Sequence, residues 1–331
     1  MKTLIQKLCQ AYGPSGNEEQ IREILIDEIK ALVDEYQVDT LGNLVAVRRS
    51  AEGNGKRVML AAHMDEIGVI VTHIDDQGFL RFAPIGGVLT EALVGARVVF
   101  SNGVEGTFGV EGKPLSSSQP EADQVFLDVG ATTKGDVPVS IGDAAAFCHQ
   151  FSDLGDRLIA HNFDDRIGCA VLVEALRALE NTPHEVYAVF TTQEEVGTRG
   201  ARTSAFGINP DIALAIDVTA TGDTPEAYPM AVELGKGPAI KVKDRYMLAH
   251  PSVKRLLIET AKREEIPYQL EVLEFGTTDA MAIQVTREGV PAGVVSIPTR
   301  YVHTPSQMVD VGDVQQAVQL LVSVLSNPIQ L

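Results

Sequence analysis

The chain has 331 residues, of which 45% are hydrophobic, and this length and composition predict a globular protein of about two domains. Its formal net charge of −18 at pH 7 disfavours nucleic acid and anionic membranes as partners, because their phosphates would be repelled. The sequence has no apolar run near the roughly 20 residues that span a bilayer and no recognisable signal peptide, so we expect a cytoplasmic protein.

The amino-terminal segment predicts two helices. Residues 2–12 have a helical pattern that ends at the breaker in residues 13–16, which contains glycine and proline. Ser15 or Asn17 is the expected cap of a second helix, because apolar residues recur on one helical face between positions 21 and 32.

The next part of the chain predicts strands. Residues 36–39 and 44–48 alternate around a turn and indicate a hairpin. An apolar run then stops on His63. Residues 68–155 consist of short β-like pieces separated by glycine-bearing turns, with almost no helical periodicity, and they predict a small all-β, barrel-like domain.

Helix and strand patterns alternate again after residue 155. We predict helices at about 165–179, 251–263 and 313–325, and strands at 186–192, 212–218 and 292–297. Alternating elements with solid apolar strands indicate an α/β fold whose mixed, largely parallel sheet is covered by helices on both faces. The β domain at 68–155 therefore interrupts a larger domain formed by residues 1–67 and 156–331.

Polar residues that bind metals occur at the carboxyl ends of the apolar strands, where ligands of open α/β sheets bind. They are His63, Asp65, Glu194, Glu195, Asp217 and His303, together with Asp164 and Asp165 before a helix. Nitrogen and oxygen donors suit zinc, cobalt or manganese, and a bridging carboxylate can hold two ions about 3.5 to 4 Å apart. The alternatives are a hydrogen-bonded structural role for each histidine, helix capping by the paired aspartates, and a turn at Asp217.

The adjacent glutamates Glu194 and Glu195 suggest a division of labour. Neighbouring residues at a strand end point in different directions, so one carboxylate can bind a metal while the other meets the water that is activated there. One glutamate would then be a ligand and the other a base.

Five motifs, in order along nearly the whole chain, resemble the glutamyl aminopeptidase or tetrahedral aminopeptidase family of dinuclear metallopeptidases, some members of which carry endoglucanase names. The motifs are AHMDEIG at 62–68, FDDR at 163–166, QEEVG at 193–197, GTTDA at 276–280 and PTRYVH at 298–303. The resemblance implies a zinc-exopeptidase-like fold and two divalent ions per subunit, zinc or cobalt.

The resemblance also implies roles for individual residues. Asp164 would bridge the two ions, with His63 and Asp217 completing one metal site and Glu195 and His303 the other. Glu194 would be the general base, and Asp65 would orient His63. Asp279 and Thr278 would line the substrate side. A capping role for residues 277–279 is the alternative. Four cations, Lys241, Lys243, Arg245 and Arg300, are candidates for attracting an acidic substrate residue or for structural roles.

The implied function is a metal-dependent aminopeptidase that removes amino-terminal residues from short peptides. Dimers would assemble into a hollow tetrahedral dodecamer, with the β insert helping to pair subunits. Two alternatives stay open: a dinuclear-metal deacylase or amidohydrolase acting on N-acylated small molecules, and a catalytically silent metal-binding scaffold. A scaffold is disfavoured, because a structural zinc site needs no additional base.

Overall fold

The computed structural model describes residues 1–50, 53, 55–112 and 122–331. These residues form seven α-helices: α1 (Lys2–Cys9), α2 (Glu19–Ile29), α3 (Phe163–Ala178), α4 (Arg199–Ile208), α5 (Pro251–Arg263), α6 (Asp279–Gln284) and α7 (Val311–Leu325). Within the described ranges, no helix is both long enough and apolar enough to cross a membrane. The predicted helices are all present, whereas α4 and α6 had not been predicted.

The same residues form seventeen β-strands. They are β1 (Glu35–Val38), β2 (Leu44–Arg48), β3 (Arg57–His63), β4 (Gly68–Ile74), β5 (Leu80–Ile85), β6 (Arg97–Phe100), β7 (Glu105–Val110), β8 (Val125–Asp128), β9 (Ala144–Phe147), β10 (Ser152–Asp153), β11 (Arg157–Ala160), β12 (Glu185–Thr191), β13 (Ile212–Thr219), β14 (Ala239–Lys243), β15 (Gln269–Val272), β16 (Ala292–Arg300) and β17 (Gln307–Asp310).

Eleven strands form one mixed sheet in the order β1-β2-β12-β3-β13-β16-β17-β11-β10, with β14 paired to β16 and to β15. The four central strands β12, β3, β13 and β16 are parallel, as their solid apolar sequences predict. The pairings β1–β2, β16–β17 and β10–β11 are antiparallel, because short turns join these strands. The prediction of a mixed sheet is confirmed, but parallel pairing is limited to the four central strands and to β14–β15.

Helices cover both faces of this sheet. Along β3, Leu60 and Ala62 belong to a core shared with α1, α2, α3, α5 and α7. Met59 and Ala61 belong to a second core, shared with α4 and α6. Successive side chains of a strand point to opposite faces, so the uninterrupted apolar run of β3 reflects burial on both sides.

The amino-terminal segment corrects one prediction. Helix α2 is preceded by Glu18 at its N-cap, and no side chain makes the capping hydrogen bond. The expected caps Ser15 and Asn17 are therefore wrong. The hydroxyl of Ser15 instead donates a hydrogen bond to Oδ2 of Asp65 at 2.6 Å, which takes it away from the helix end.

Strands β4 to β9 form a closed six-stranded barrel in the order β4-β5-β8-β7-β6-β9. The barrel has an apolar core of its own, which includes Val69, Phe108 and Leu127. Residues 113–121 of the predicted insert 68–155 lie outside the described residues. Strand β10 lies within the predicted insert 68–155, yet it pairs with β11 of the large sheet. The domain limits at 67/68 and 155/156 stay a prediction.

Candidate metal centre

The polar residues predicted at the strand ends meet at one edge of the sheet. His63 is the last residue of β3 and pairs with Thr191, the last residue of β12. On the other side of β3, Ala61 pairs with Ala215 of β13, which brings Asp217 level with His63. Parallel strands in register end at the same edge, so these two side chains are neighbours. The turn interpretation of Asp217 is wrong, since this residue lies within β13.

His63, Asp164 and Asp217 form the first of two groups of candidate ligands. One donor atom from each residue lies within 4.8 Å of the other two. The Nε2 atom of His63 is 3.0 Å from Oδ1 of Asp164 and 3.9 Å from Oδ1 of Asp217. All three side chains are buried. Imidazole and carboxylate donors at such spacings suit a divalent transition metal.

Asp164, Glu195 and His303 form the second group, whose donor atoms also lie within 4.8 Å of one another. The Nε2 atom of His303 is 3.3 Å from Oδ2 of Asp164 and 3.4 Å from Oε2 of Glu195. Asp164 therefore belongs to both groups and presents one carboxylate oxygen to each. This is the arrangement expected of a carboxylate between two ions.

The two aspartates at the start of α3 have different roles. Both have non-helical φ and ψ angles, and the backbone nitrogen of Asp164 donates to Oε1 of Gln307 at 2.8 Å. Asp165 accepts hydrogen bonds from the backbone nitrogens of Gly168 at 3.0 Å and His63 at 3.2 Å. The capping interpretation is thus right for Asp165 and wrong for Asp164, whose side chain turns to the histidines.

Asp65 is completely buried and connects His63 to the loop that carries the adjacent glutamates. Its carboxylate accepts hydrogen bonds from the backbone nitrogens of Glu194 at 2.9 Å and Glu195 at 3.2 Å. The Nδ1 atom of His63 lies 2.9 Å from the backbone oxygen of Asp65 and 3.6 Å from its Oδ1. With the Nδ1 proton directed to Asp65, the lone pair of Nε2 faces the first group.

A second buried carboxylate, Glu18, supports the same loop. Its Oε1 accepts hydrogen bonds from the backbone nitrogens of Gln193 at 3.2 Å and Gly16 at 2.7 Å. Gln193 has a φ of 54°, which is uncommon for a residue with a side chain. Burial, reinforced by the charge of Asp65, raises the pKa of Glu18 to about 7. Sequence reasoning missed this residue, because its partner lies 175 positions away.

Acidic groups crowd the site. Burial and then the charge of Asp164 raise the pKa of Asp217 well above its usual range. Burial likewise raises the pKa of Glu194 well above its usual range, and that of Glu195 to about 8. Burial opposes protonation of His303, yet Glu195 and Asp164 raise its pKa to about 10. The carboxylates of the cluster outnumber its two histidines, and divalent cations would supply the positive charge that balances them.

One atom of the cluster bears on whether the residues present can hold cations. Oε1 of Glu195 is buried and has no hydrogen-bond partner among the described residues. A buried carboxylate oxygen without a partner is costly unless a ligand satisfies it. Together with the two sets of converging donors, this atom shows that the residues present fit a pair of divalent cations.

The barrel contributes a wall of the site that sequence reasoning missed. Gly86 and Gly87 follow β5 and lie against the second group. A Cβ atom built on Gly87 would lie 2.4 Å from Nδ1 of His303, and one on Gly86 would lie 2.9 Å from Oε2 of Glu195. Only glycine allows this close approach. The sequence showed a turn at these positions, but nothing in it indicated contact with the distant ligands.

The two groups open into one cavity of about 650 Å³, which Glu194 also lines. Thr278 lines the cavity too, and its hydroxyl caps α6 by accepting a hydrogen bond from the backbone nitrogen of Ala280 at 3.3 Å. Asp279 is buried, and its Oδ2 accepts a hydrogen bond from the hydroxyl of Thr191. The capping interpretation of this segment therefore describes Thr278 correctly.

Two of the four candidate cations have carboxylate partners. Lys241 lines the cavity but is buried, and its Nζ is 2.5 Å from Oε1 of Glu271. Arg300 makes two hydrogen bonds to the carboxylate of Asp223, at 3.0 and 2.7 Å. These pairings agree with the structural interpretation of both cations.

The sequence profile of M42 glutamyl aminopeptidases matches residues 42–320, a range that contains both ligand groups and Glu194. The chain belongs to the M42 glutamyl aminopeptidase family. The resemblance seen in the five motifs is thereby confirmed.

Several known aminopeptidases match nearly the whole chain. The lysyl aminopeptidase of Pyrococcus furiosus is 36% identical, with 98% of this chain and 96% of the relative covered. An aminopeptidase structure from Desulfurococcus kamchatkensis has a TM-score of 0.94 at 42% identity, covering 98% and 94% of the two chains. The TET1 peptidase of Pyrococcus horikoshii, which can assemble into a tetrahedron or a large octahedral shell, has a TM-score of 0.87 at 33% identity, covering 98% of each chain.

Proposed function

We propose that this M42 protein is a metal-dependent aminopeptidase that removes amino-terminal residues from short peptides through a dinuclear centre. The observation that carries the proposal is the carboxylate of Asp164, whose two oxygens face two separate ligand groups. Glu194 lies on the same cavity and belongs to neither group. A carboxylate left over beside two ions is what a hydrolytic enzyme needs as a general base.

The proposed metal ligands divide between two sites. One ion would be held by His63, Asp164 and Asp217, and the other by Asp164, Glu195 and His303. Zinc and cobalt are the proposed ions, because all donors are nitrogen or oxygen. When bound, the two ions would polarise the scissile carbonyl and lower the pKa of a water molecule towards about 7.

Glu194 performs the proton transfers in this proposal. Its carboxylate accepts a proton from the attacking water and later delivers it to the nitrogen of the leaving amine. Asp65 holds the backbone nitrogens of both Glu194 and Glu195, so the base keeps a fixed position relative to the neighbouring ligand. Asp65 also orients His63 through its Nδ1 proton.

The restriction to amino-terminal residues follows from charge. A free amino terminus is cationic and would be attracted to the carboxylates of the centre, whereas an acylated amine is neutral. Thr278 and Asp279 are the proposed residues on the substrate side, and Thr278 lines the cavity beside Glu194.

We also propose that the chain self-associates into dimers and then into a tetrahedral dodecamer. The similarity to the TET1 peptidase of P. horikoshii, which can assemble into such a shell, supports this proposal. Residues 68–155 would be a dimerisation domain inserted into a catalytic domain of residues 1–67 and 156–331. Light scattering should give a mass close to twelve chains, and a stable monomer would contradict the proposal.

The decisive experiment compares aminoacyl-p-nitroanilides with free and with acetylated amines. The protein is stripped of metal and reloaded with zinc or cobalt, and the release of p-nitroaniline is measured. We expect cleavage of the free-amine compounds only, and only by the reloaded protein. Cleavage of the acetylated series would instead favour a deacylase acting on N-acylated small molecules. Equal activity of the stripped protein would exclude the dinuclear centre as the catalyst.

A further inference from the structure

The cavity wall beyond the two ligand groups is largely apolar. Its apolar residues include Leu89, Val218, Leu273, Phe275, Met281 and Val302. They come from four segments that are far apart in the sequence, at positions 89, 218, 273–281 and 302, and converge beside the metal centre. Leu89 is 46% exposed and Phe275 is 45% exposed, so apolar surface is available at the mouth of the cavity. An exposed apolar surface that several segments build together is typical of a binding site.

The charges on this wall are already neutralised. Among the described residues that line the cavity, Lys241 is the one charged side chain outside the proposed ligands and base. Its Nζ donates to Oε1 of Glu271 at 2.5 Å, and the same oxygen accepts a hydrogen bond from the hydroxyl of Thr219 at 2.8 Å. Lys241 is 1% exposed and Glu271 is 0% exposed. A substrate carboxylate would have to displace Glu271 to reach this cation.

We propose that the cavity selects a large apolar amino-terminal residue, such as leucine, methionine or phenylalanine, and that Glu271 disfavours acidic residues by neutralising Lys241. This inference rests on the proposed aminopeptidase function. A basic side chain meets no carboxylate on the described wall apart from the proposed ligands and base. The names of the family and of the lysyl relative refer to charged amino-terminal residues. The apolar preference proposed for this chain differs from both and is argued only from the residues of its own cavity.

The first test uses the unmodified protein loaded with zinc or cobalt. The value of kcat/KM is measured for free-amine p-nitroanilides of leucine, methionine, phenylalanine, alanine, glutamate and lysine. We expect the three large apolar compounds to exceed alanine by about tenfold or more, because missing methylene groups cost that much in an apolar pocket. They should also exceed glutamate and lysine, whose charged side chains would lose water against the apolar wall. If kcat/KM were highest for the glutamate or the lysine compound, the apolar preference would be overturned while the proposed aminopeptidase function would stand. Absence of turnover on all six compounds would overturn the proposed function, and the inference with it.

A second test removes part of the apolar wall. Phe275→Ala should lower the ratio of kcat/KM for leucine over alanine about fivefold, because the substrate side chain would bury less apolar surface. The exposure of Phe275 makes a folding defect from this change small. Leu248→Ala is the matched control, since Leu248 is 67% exposed and lies off this cavity. Equal ratios in the two variants would overturn the assignment of the wall.

A third test frees the buried cation. Glu271→Gln keeps the size of the side chain but removes its charge, so Lys241 becomes available to a substrate carboxylate. We expect the ratio of kcat/KM for glutamate over leucine to rise about tenfold, the typical effect of one charged hydrogen bond. Adding Lys241→Met to this variant should abolish the gain. An unchanged ratio in a Glu271→Gln protein with native circular dichroism would overturn the role of Glu271. The two preceding tests do not depend on the folding of this variant.

Discussion

The two halves of the candidate metal centre are built in different ways. His63 and Asp217 lie on the neighbouring parallel strands β3 and β13 and are 2% and 6% exposed. Glu195 and His303 lie in loops after β12 and β16, and the His303 side chain is 34% exposed. The hydrogen bonds of the sheet fix the first half, whereas the second half depends on contacts between loops.

These loops need support from distant parts of the chain. Tyr301 and His303 both have a φ of 62°, in the left-handed region that residues with side chains rarely adopt. Gly87 of the barrel contacts His303, and Glu18 holds the backbone of Gln193 close to Glu195. The sheet alone therefore positions His63 and Asp217, while Glu195 and His303 also require the barrel and the amino-terminal segment. We therefore expect the second half to bind its ion less tightly.

The largest effect is expected from a change that leaves both halves intact. Glu194→Gln removes the proposed base but none of the five ligands, so kcat should fall about 10³-fold while both ions stay bound. Turnover of leucine p-nitroanilide and metal content after gel filtration would be measured together. Glu259→Gln, at an exposed position of α5, is the control. Activity within a few fold of the unmodified protein would exclude Glu194 as the base.

The next largest effect is expected in the first half. His63→Ala leaves Asp164 and Asp217 facing each other without the imidazole, so metal affinity should fall at least about 100-fold. Activity should fall similarly and should not return fully in excess zinc. His250→Ala, at the exposed N-cap of α5, is the matched control. Unchanged metal content after dialysis would contradict the assignment of His63 as a ligand.

A smaller effect is expected from a substitution in the barrel that displaces a ligand of the second half. Gly87→Ala places a methyl group where only 2.4 Å separates it from Nδ1 of His303, so the imidazole must move. We expect one ion per subunit to be lost on dialysis and activity to fall about tenfold, with recovery in excess zinc. Gly207→Ala in α4 is the control, because a Cβ atom there meets nothing within 4 Å. Retention of both ions would show that the second half does not depend on the barrel.

The sequence predicted the ligands of the first half of the centre better than the contacts that hold the second half in place. His63 and Asp217 end or nearly end apolar runs, and such runs are visible without any knowledge of the fold. Glu195 and His303 follow the apolar runs that predicted β12 and β16, but they lie several residues beyond those runs, in loops. The contacts of Gly87 with His303 and of Glu18 with Gln193 join segments of the chain that are more than 170 positions apart, so no local pattern could indicate them.

The strands missed in the sequence have a similar explanation. Strand β14 contains Lys241 and β15 contains Glu271, and both side chains are almost completely buried. A charged residue normally indicates a surface position, so these segments did not resemble core strands. Only the ion pair between the two strands makes their burial possible. Helix α6, with six residues, is too short to show a helical period.

A loss of activity without any loss of metal is expected at Glu18, which supports the loop without belonging to either ligand group. Glu18→Ala removes the acceptor for the backbone nitrogens of Gln193 and Gly16, so the base should be less well positioned. We expect kcat to fall about tenfold, with KM for leucine p-nitroanilide within about twofold and both ions retained.

Glu18→Gln provides the matched comparison, because it keeps an oxygen in the place of the one that accepts both hydrogen bonds. Burial raises the pKa of Glu18 to about 7, so the carboxyl group is already partly protonated at neutral pH and a neutral amide should replace it well. We expect activity within about threefold of the unmodified protein. Equal losses in the two variants would assign the effect to charge. No loss in Glu18→Ala would mean that Asp65 alone holds the loop of Glu194 and Glu195. The second half of the centre would then not require the amino-terminal segment.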